Sequence, residues 1–588
     1  MAPKEPVIVE SPTAEERAFQ QHVAARGEDE HDGDEESVAG VEEGEGEEHD
    51  HDEGAAIALP DSGEATEGGK LKMIVSLLKK CLGVKDLASM RLSLPASLLE
   101  PIPNLEYWHY LDRPDLMAAI NDSEDPFERM LAVVRFNFSK DLKVIRGKVV
   151  KPYNSVLGEH FRAHWDFHPV EYPEDPRLPP IHKQHVTAPA ASEPAPVANG
   201  AGKVATSRLS FRSAIFGKTA SGPTSPIQRP ASASPAVESN LAAQVSNLSL
   251  GRSSTASLSA PRMSTSSSQS SSNGGSPSET IRAVYLTEQV SHHPPVSAYY
   301  ATCPSRGVVI SGVDQISAKV SGTSVRITPG SYNKGIFVKL TSGNGKGEQY
   351  KITHPIAYVN GMLRGSFYVT VSESIIITCE KEGAADGQEM LRTVVEFKEE
   401  PWIGKPQFQL DGVIHTYRVG ETEHEEWTKV KHVPANRVVA QFEGSWRSQI
   451  RWKRAPETAA AKNPATQSST SLASGRSADA EYGTLIDIEP LQVMPKRVRP
   501  LHHQHDYESR KLWDNVTSRL QRREFGDATK HKHAIEQRQR DLAGKRKEKG
   551  EEFVPTYFEK DIASGLPVLT AEGLKAIEEE MKTSDGAP

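Results

Sequence analysis

Apolar residues recur at Leu71, Ile74, Val75, Leu78, Cys81 and Leu82, with Lys72, Ser76, Lys79 and Lys80 opposite them, until Gly83 ends the pattern. That spacing predicts a short amphipathic helix with a basic polar face. Such a helix serves either as a movable, membrane-touching lid or as an ordinary packed helix. Phe127, Met130, Leu131, Val134 and Phe138 share one face of a second predicted helix across Asp125–Val149. Beyond residue 281 the period changes. Short stretches rich in β-branched and aromatic residues (Val284–Thr287, Ser297–Thr302, Gly307–Ser311, Gly335–Leu340, Ser366–Val371, Ile375–Cys379, Thr393–Phe397 and Val438–Phe442) alternate with turn signals such as Ser342–Gly345 and Val359–Gly361. Eight or more antiparallel strands at that density predict a sandwich or a barrel. From Tyr507 to Gly550 the pattern is again helical and highly charged.

Composition limits where a core can form. Residues 1–68 carry 22 Asp/Glu against three Lys/Arg, and 15 of those acids lie in Gly27–Glu53. Like charges at that density extend a chain, so the segment reads either as a solubilising tail or as an electrostatic gate. Residues 176–280 are rich in Pro, Ala and Ser, and 13 of the 27 residues Arg252–Ser278 are serine. This is expected to be a disordered insertion. It is a solvated linker, or a segment whose charge phosphorylation reverses, since Ser225, Ser234 and Ser276 each precede proline. The expected organisation is an acidic tail over 1–68, a lid over 69–90 and the first part of a folded domain over 91–175. The insertion over 176–280 and a β-barrel over 281–456 follow. A second low-complexity insertion then covers 457–482, a helical subdomain 483–565 and a C-terminal tail 566–588.

The net charge of −10 conceals an asymmetry, because residues 69–588 carry 66 Lys/Arg against 57 Asp/Glu. A mildly basic body suits an anionic partner. Cys81, Cys303 and Cys379 are too few and too scattered for a disulfide framework or a zinc site, which fits a reducing compartment. With neither a signal-peptide pattern nor an apolar run of transmembrane length, the chain reads as a cytosolic protein.

Three segments carry candidate chemistry. In Glu288–Pro295 (Glu-Gln-Val-Ser-His-His-Pro-Pro), proline restricts His293 to an extended backbone. On an extended chain, His292 and His293 point to opposite faces, which suits two separate donors to an anionic oxygen better than a shared metal. In Lys151–Phe161, Lys151 supplies a point charge and Asn154 a donor and an acceptor, pinned by Pro152 and the Gly158 turn. Lys532, Glu536 and Arg540 follow i, i+4, i+8 spacing on one helix face, where Glu536 can orient both cations. Each segment also has a plain reading: filler histidines, a connecting loop, a solvated ion ladder.

Taken together, these segments resemble the oxysterol-binding-protein-related lipid-transfer family, whose fingerprint Glu288–Pro295 matches letter for letter. Leu94–Pro101 is similar to the family's segment between lid and barrel. Gly444–Trp446 is similar to its last barrel strand, and Arg499–Leu501 with Tyr507–Trp513 to the start of its helical region. The resemblance implies an α+β fold: an incomplete, many-stranded antiparallel β-barrel enclosing a lipid tunnel, with an N-terminal helical lid and a C-terminal helical subdomain. It implies that Lys151, Asn154, His292, His293, Lys532, Glu536 and Arg540 hold the head group of phosphatidylinositol 4-phosphate. Leu71, Ile74, Val75, Leu78, Leu94 and Leu98 would line the lid and tunnel. Ser155 stands where the family usually has a proline.

The expected activity is exchange of phosphatidylserine for phosphatidylinositol 4-phosphate between membranes, with no enzymatic step, no metal and no cofactor beyond the lipid cargo. Gly343–Lys351, Ile376–Lys381 and Glu396–Lys398 are similar to the phosphatidylserine branch, whereas Tyr107–Tyr110 keeps sterol open as the second cargo. A non-transferring lipid sensor is the alternative from another class. The expected partners are membrane lipids, contacted transiently at the endoplasmic reticulum and other membranes by a monomer that binds no nucleic acid.

Overall fold

The computed structural model describes residues 57–58, 76, 92–94, 96–146, 150–182, 280–321, 323–361, 367–401, 404–455 and 482–583. Leu71, Ile74, Val75 and Leu78 lie outside the described residues, as do most of the acidic tail and the interior of both insertions.

Twelve strands form one antiparallel sheet. They are β1 (His160–Phe167), β2 (Ile281–His292), β3 (Pro295–Cys303), β4 (Val308–Asp314), β7 (Ile336–Leu340), β8 (Glu348–Ile352), β11 (Ser374–Lys381), β12 (Glu389–Phe397), β13 (Gln409–Arg418), β14 (Val438–Ser445), β15 (Gln449–Arg454) and β16 (Gly483–Asp487). Neighbours follow chain order throughout, and β1 and β16 stay at the two edges, so the sheet is an open, incomplete barrel. A second sheet, in the order β10-β9-β6-β5, interrupts it: β5 (Ile316–Ser321), β6 (Ser324–Pro329), β9 (Ile356–Asn360) and β10 (Tyr368–Ser372). The sequence pattern found eight of these strands. The expected helical subdomain begins not with a helix but with β16, whose Leu485 and Ile486 belong to the main core.

Seven helices are described: α1 (Asn104–Tyr107), α2 (Pro114–Ala118), α3 (Pro126–Ser139), α4 (Leu142–Arg146), α5 (Ser509–Gln521), α6 (Phe525–Lys549) and α7 (Ala571–Lys582). The single helix expected across Asp125–Val149 is divided into α3 and α4, and α3 starts where the sequence predicts but ends at Ser139. Asp125 caps it by accepting the Phe127 N–H at 2.9 Å, and Pro126 occupies the first turn. Its apolar face joins the main core, to which Ala283 and Tyr285 of β2 also belong, while Val284 and Leu286 of the same strand pack on the opposite side against Tyr557, Phe558, Ala576 and Ile577. Burial on both faces explains why Ala283–Leu286 is continuously apolar instead of alternating.

Residues 566–588, expected as a tail, hold α7. Thr570 caps it by accepting the Gly573 N–H at 3.1 Å, and the buried Glu580 carboxylate pairs with His164 of β1 at 2.7 Å. The helix is short and acidic, and only its docking on the outer face of β1 and β2 stabilises it.

Candidate functional site

The antiparallel ladders decide which loops share an end of the sheet. His292 ends β2 opposite Pro295 at the start of β3, and Ser297 pairs with Asp314 at the end of β4. At the same end, β1 begins with His160 opposite Glu288. Just before it, the Lys151 segment runs alongside β2: Gly158 N–H donates to Gln289 O at 2.9 Å and Gln289 N–H to Glu159 O at 2.8 Å. The Lys151 loop and the histidine pair therefore lie at one end of β1 and β2.

The histidines do not point to opposite faces. The chain turns at His293–Pro294, a cis peptide bond, and the two rings meet edge to face with centroids 4.6 Å apart. The hairpin takes His293 out of the extended strand, so alternation no longer applies. His292 is half-buried and His293 exposed.

Lys151 donates to Asn154 Oδ1 at 2.6 Å and to its neighbour's carbonyl, Pro152 O, at 3.1 Å. Its side chain is exposed by area, yet protein atoms crowd its ammonium. That burial and, second, the nearby positive charge of Lys532 push its pKa down to about 8. The loop is fixed from beneath by Tyr153, fully buried, whose hydroxyl meets Thr517 Oγ1 at 2.7 Å and whose ring lies 4.9 Å from that of Trp513 on α5.

Helix α6 brings Lys532 to the Lys151 loop. The plain reading of a solvated ion ladder does not fit Lys532, which is only 4% exposed. It donates to Glu536 Oε1 at 2.6 Å. Arg540 is exposed and donates to Gln537 Oε1 at 3.1 Å. Glu536 thus bonds Lys532, whereas Arg540 engages a different neighbour, Gln537. Leu94 and Leu98 are half-buried, and Leu94 packs with Tyr153, Val156, Trp513 and Ala528 in the core beneath the Lys151 loop. Ser155 is buried, and its Oγ has no hydrogen-bond partner among the described residues.

Two carboxylates that sequence reasoning passed over hold these segments. Glu159 accepts from Val156 N–H at 3.0 Å, Ser509 Oγ at 2.7 Å and Trp513 Nε1 at 3.0 Å. Burial pushes its pKa up to about 7. Glu288 accepts the backbone N–H groups of Thr556 at 2.7 Å and Tyr557 at 2.8 Å, and burial pushes its pKa up to about 6. Both are fully buried. The available signal was a glutamate inside each motif, Glu159 after the Gly158 turn and Glu288 before the histidines.

The second sheet grows out of the main one at this same end, through the Asp314–Ile316, Ile352–Ile356 and Ser372–Ser374 connections. Its register gathers Ile316, Ala318, Val320, Val325, Ile327, Ala357, Val359, Val369 and Val371 on one side. Ser317, Lys319, Arg326, Thr328 and Thr370 take the other. Val371 packs on the main core. Most of this aliphatic side is only half-buried, and Ile316 is 52% exposed. Among the described residues, no helix is long and apolar enough to cross a membrane, and no group of three or more His, Cys, Asp or Glu is placed to hold a metal ion.

The oxysterol-binding protein family model matches residues 73–175 and 276–580. Oxysterol-binding protein-like protein 1 of Schizosaccharomyces pombe is 37% identical over 543 residues, covering 88% of this chain and 92% of that protein. Human oxysterol-binding protein-related protein 11 is 26% identical over 473 residues, which cover 80% of this chain but 46% of that protein. Among solved structures, the Osh1 ORD domain in complex with cholesterol aligns over 98% of this chain and 100% of that one, at a TM-score of 0.49 and 16% identity.

Proposed function

The chain belongs to the oxysterol-binding protein family, and on that premise we propose that it carries lipid between membranes, exchanging phosphatidylserine for phosphatidylinositol 4-phosphate. The observation that carries this reading is the meeting of two surfaces at one end of the sheet. One is the wholly aliphatic side of the second sheet. The other is the Lys151 loop, whose Tyr153 and Val156 pack with Ala528 of the helix that carries the buried Lys532, at the end that also bears the histidine pair. A ligand with an apolar body and a phosphorylated head satisfies both. The apolar body explains why a carrier is needed at all. Two acyl chains of about 30 CH₂ groups together, at about 0.8 kcal/mol each, would cost about 25 kcal/mol to expose to water.

In this reading Lys151, Lys532 and Arg540 supply charge, and His292 and His293 donate hydrogen bonds. Asn154 and Glu536 orient the two lysines, and no bond is made or broken. Changing both His292 and His293 to Ala should lower extraction of phosphatidylinositol 4-phosphate from liposomes about a hundredfold or more, since a charge-assisted hydrogen bond contributes about 1.5–3 kcal/mol. Wild-type extraction by the double variant would sink the assignment.

One observation favours sterol as the second cargo. Tyr110 donates to Asp314 Oδ1 at 2.7 Å and its ring lies 5.2 Å from that of Tyr299. The fully buried Tyr299 hydroxyl has no partner among the described residues. Asp314, pushed up to about 7 by burial, immediately precedes the second sheet, so this cluster would suit the hydroxyl of an otherwise apolar cargo. Native mass spectrometry of the co-purified lipid separates the two readings.

A further inference from the structure

Helix α6 ends at Gly550, which takes the left-handed conformation at φ 66° and lets Glu551 N–H close back on Arg546 O at 2.9 Å. The chain then runs as an extended strap, Glu551–Phe558, without helix or strand. It touches all three elements that carry the cations and imidazoles. The guanidinium of Arg546, on α6, sits 5.8 Å from the centre of the Phe553 ring. The Phe553 ring edge covers Gly158, so closely that a Cβ there would lie 3.4 Å from it, at the turn ending the Lys151 loop. Three residues further on, the amides of Thr556 and Tyr557 both point at the carboxylate of Glu288, four positions before His292. Beyond that grip the strap is buried, with Phe558 packed on Val284 and Leu286 of β2.

The carboxylate is poorly placed for any other role. Glu288 is fully buried in mid-strand, and its charge is compensated by backbone donors. Burying a carboxylate is costly unless it is hydrogen-bonded, and a leucine would fill a strand interior at no such cost. What the carboxylate adds is direction. Two consecutive N–H groups converge on it, which sets both the position and the orientation of the strap.

Resting on the lipid-carrier reading above, we propose that Glu288 is a positioning residue for head-group binding: it ties the strap to the histidine strand and thereby registers α6, the Lys151 loop and the His292–His293 hairpin against one another. It touches no lipid itself. Lys151, Lys532 and the histidines come from segments more than a hundred residues apart, and a phosphate binds tightly only where their separate positions are already set.

The experiment uses the full chain. Extraction is measured from phosphatidylcholine liposomes containing phosphatidylinositol 4-phosphate and, separately, from phosphatidylcholine liposomes containing phosphatidylserine or a fluorescent sterol. Amide hydrogen exchange is followed in the unliganded protein. Glu288→Ala should lower phosphatidylinositol 4-phosphate extraction about tenfold or more, the loss of about one charge-assisted contact, and leave the second cargo largely bound. Glu288→Gln, which keeps one acceptor oxygen, should lose less. Phe553→Ala, which loosens the strap from the Gly158 turn without disturbing the buried carboxylate, should act in the same direction and covers the case in which Glu288→Ala fails to fold. Exchange should quicken in Lys151–Gly158 and Val290–His293 as well as at Thr556 and Tyr557.

If phosphatidylinositol 4-phosphate extraction is unchanged, or if faster exchange stays confined to Thr556 and Tyr557, the positioning role is wrong. Equal loss of both cargoes would overturn it in favour of general destabilisation. If the wild-type chain extracts no phosphatidylinositol 4-phosphate at all, the carrier reading fails, while the exchange measurement still decides whether Glu288 registers the three segments.

Discussion

The two ends of the large sheet are built on opposite principles. At the end away from the histidines, polar groups satisfy one another. Asn121 Nδ2 donates to Arg306 O and to Ser342 O, each at 2.7 Å, while its Oδ1 accepts Gly345 N–H at 2.8 Å. Beside it, Arg129 forks onto Glu348, with Nε to Oε2 at 2.8 Å, and donates to two carbonyls at the start of α3. At the histidine end, burial and, second, the positive charge of Lys532 hold the Lys151 pKa down, and the buried Ser155 hydroxyl has no hydrogen-bond partner among the described residues. A closed network stabilises a fold. A crowd of like charges costs stability, and an anion relieves that cost. The contrast separates stability from binding without reference to any ligand.

Breaking the closed end should have the largest effect. Asn121→Ala removes three hydrogen bonds and strands two carbonyls and an amide, for a loss of about 3 kcal/mol in urea unfolding, with head-group affinity of the folded protein unchanged. At the open end the order reverses. Lys532→Ala should weaken phosphatidylinositol 4-phosphate binding about ten- to a hundredfold, the equivalent of about 1.5–3 kcal/mol, at a smaller cost in stability. It should also raise the Lys151 pKa, measurable by NMR titration of the Nζ-adjacent carbon.

Titration sharpens the comparison further. Burial holds the Lys151 pKa near 8, below the ordinary lysine value of 10.5, so the unfolded chain binds more protons between those values and stability should rise with pH across that window. The rise should be absent in Lys151→Met, and head-group binding should weaken above pH 8 as the charge is lost. Glu159 behaves inversely. Its pKa is raised from 4.5 to about 7, so the stability it contributes is present below pH 4.5 and lost as pH rises through 7. Glu159→Gln should flatten that part of the profile in equilibrium unfolding. The smallest effect is expected at Ser155. Ser155→Ala removes a buried hydroxyl that has no hydrogen-bond partner among the described residues and should leave stability unchanged or raise it by about 1 kcal/mol or less, where a loss above that would point to a bound partner.

Much of this was legible in the residues themselves. The Asp125 cap and the period of Phe127–Phe138 locate α3 because capping and amphipathicity are local. The strands that were legible are those whose β-branched residues stand out from their surroundings. Several that were not, such as Glu348–Ile352 and Gln409–Arg418, mix charged or amide side chains with apolar ones, and cross-strand pairing decides them. The α7 segment read as a tail because its helix is stabilised by His164 and β2, hundreds of residues away in the chain.

The candidate site divides along the same line. Local pattern and motif identify Lys151, Asn154, the histidine pair and the Lys532–Glu536–Arg540 spacing, because each is a short run with its own signature. Tertiary structure alone decides that Lys532 is buried beside Lys151 and that the histidine rings face each other across a turn. It alone turns a glutamate within each of two motifs into the anchors of α5 and of the strap. Residue identity and spacing set what a segment is able to offer. Proximity between segments far apart in the chain, and the burial and charge coupling that follow from it, exist only once the chain has folded.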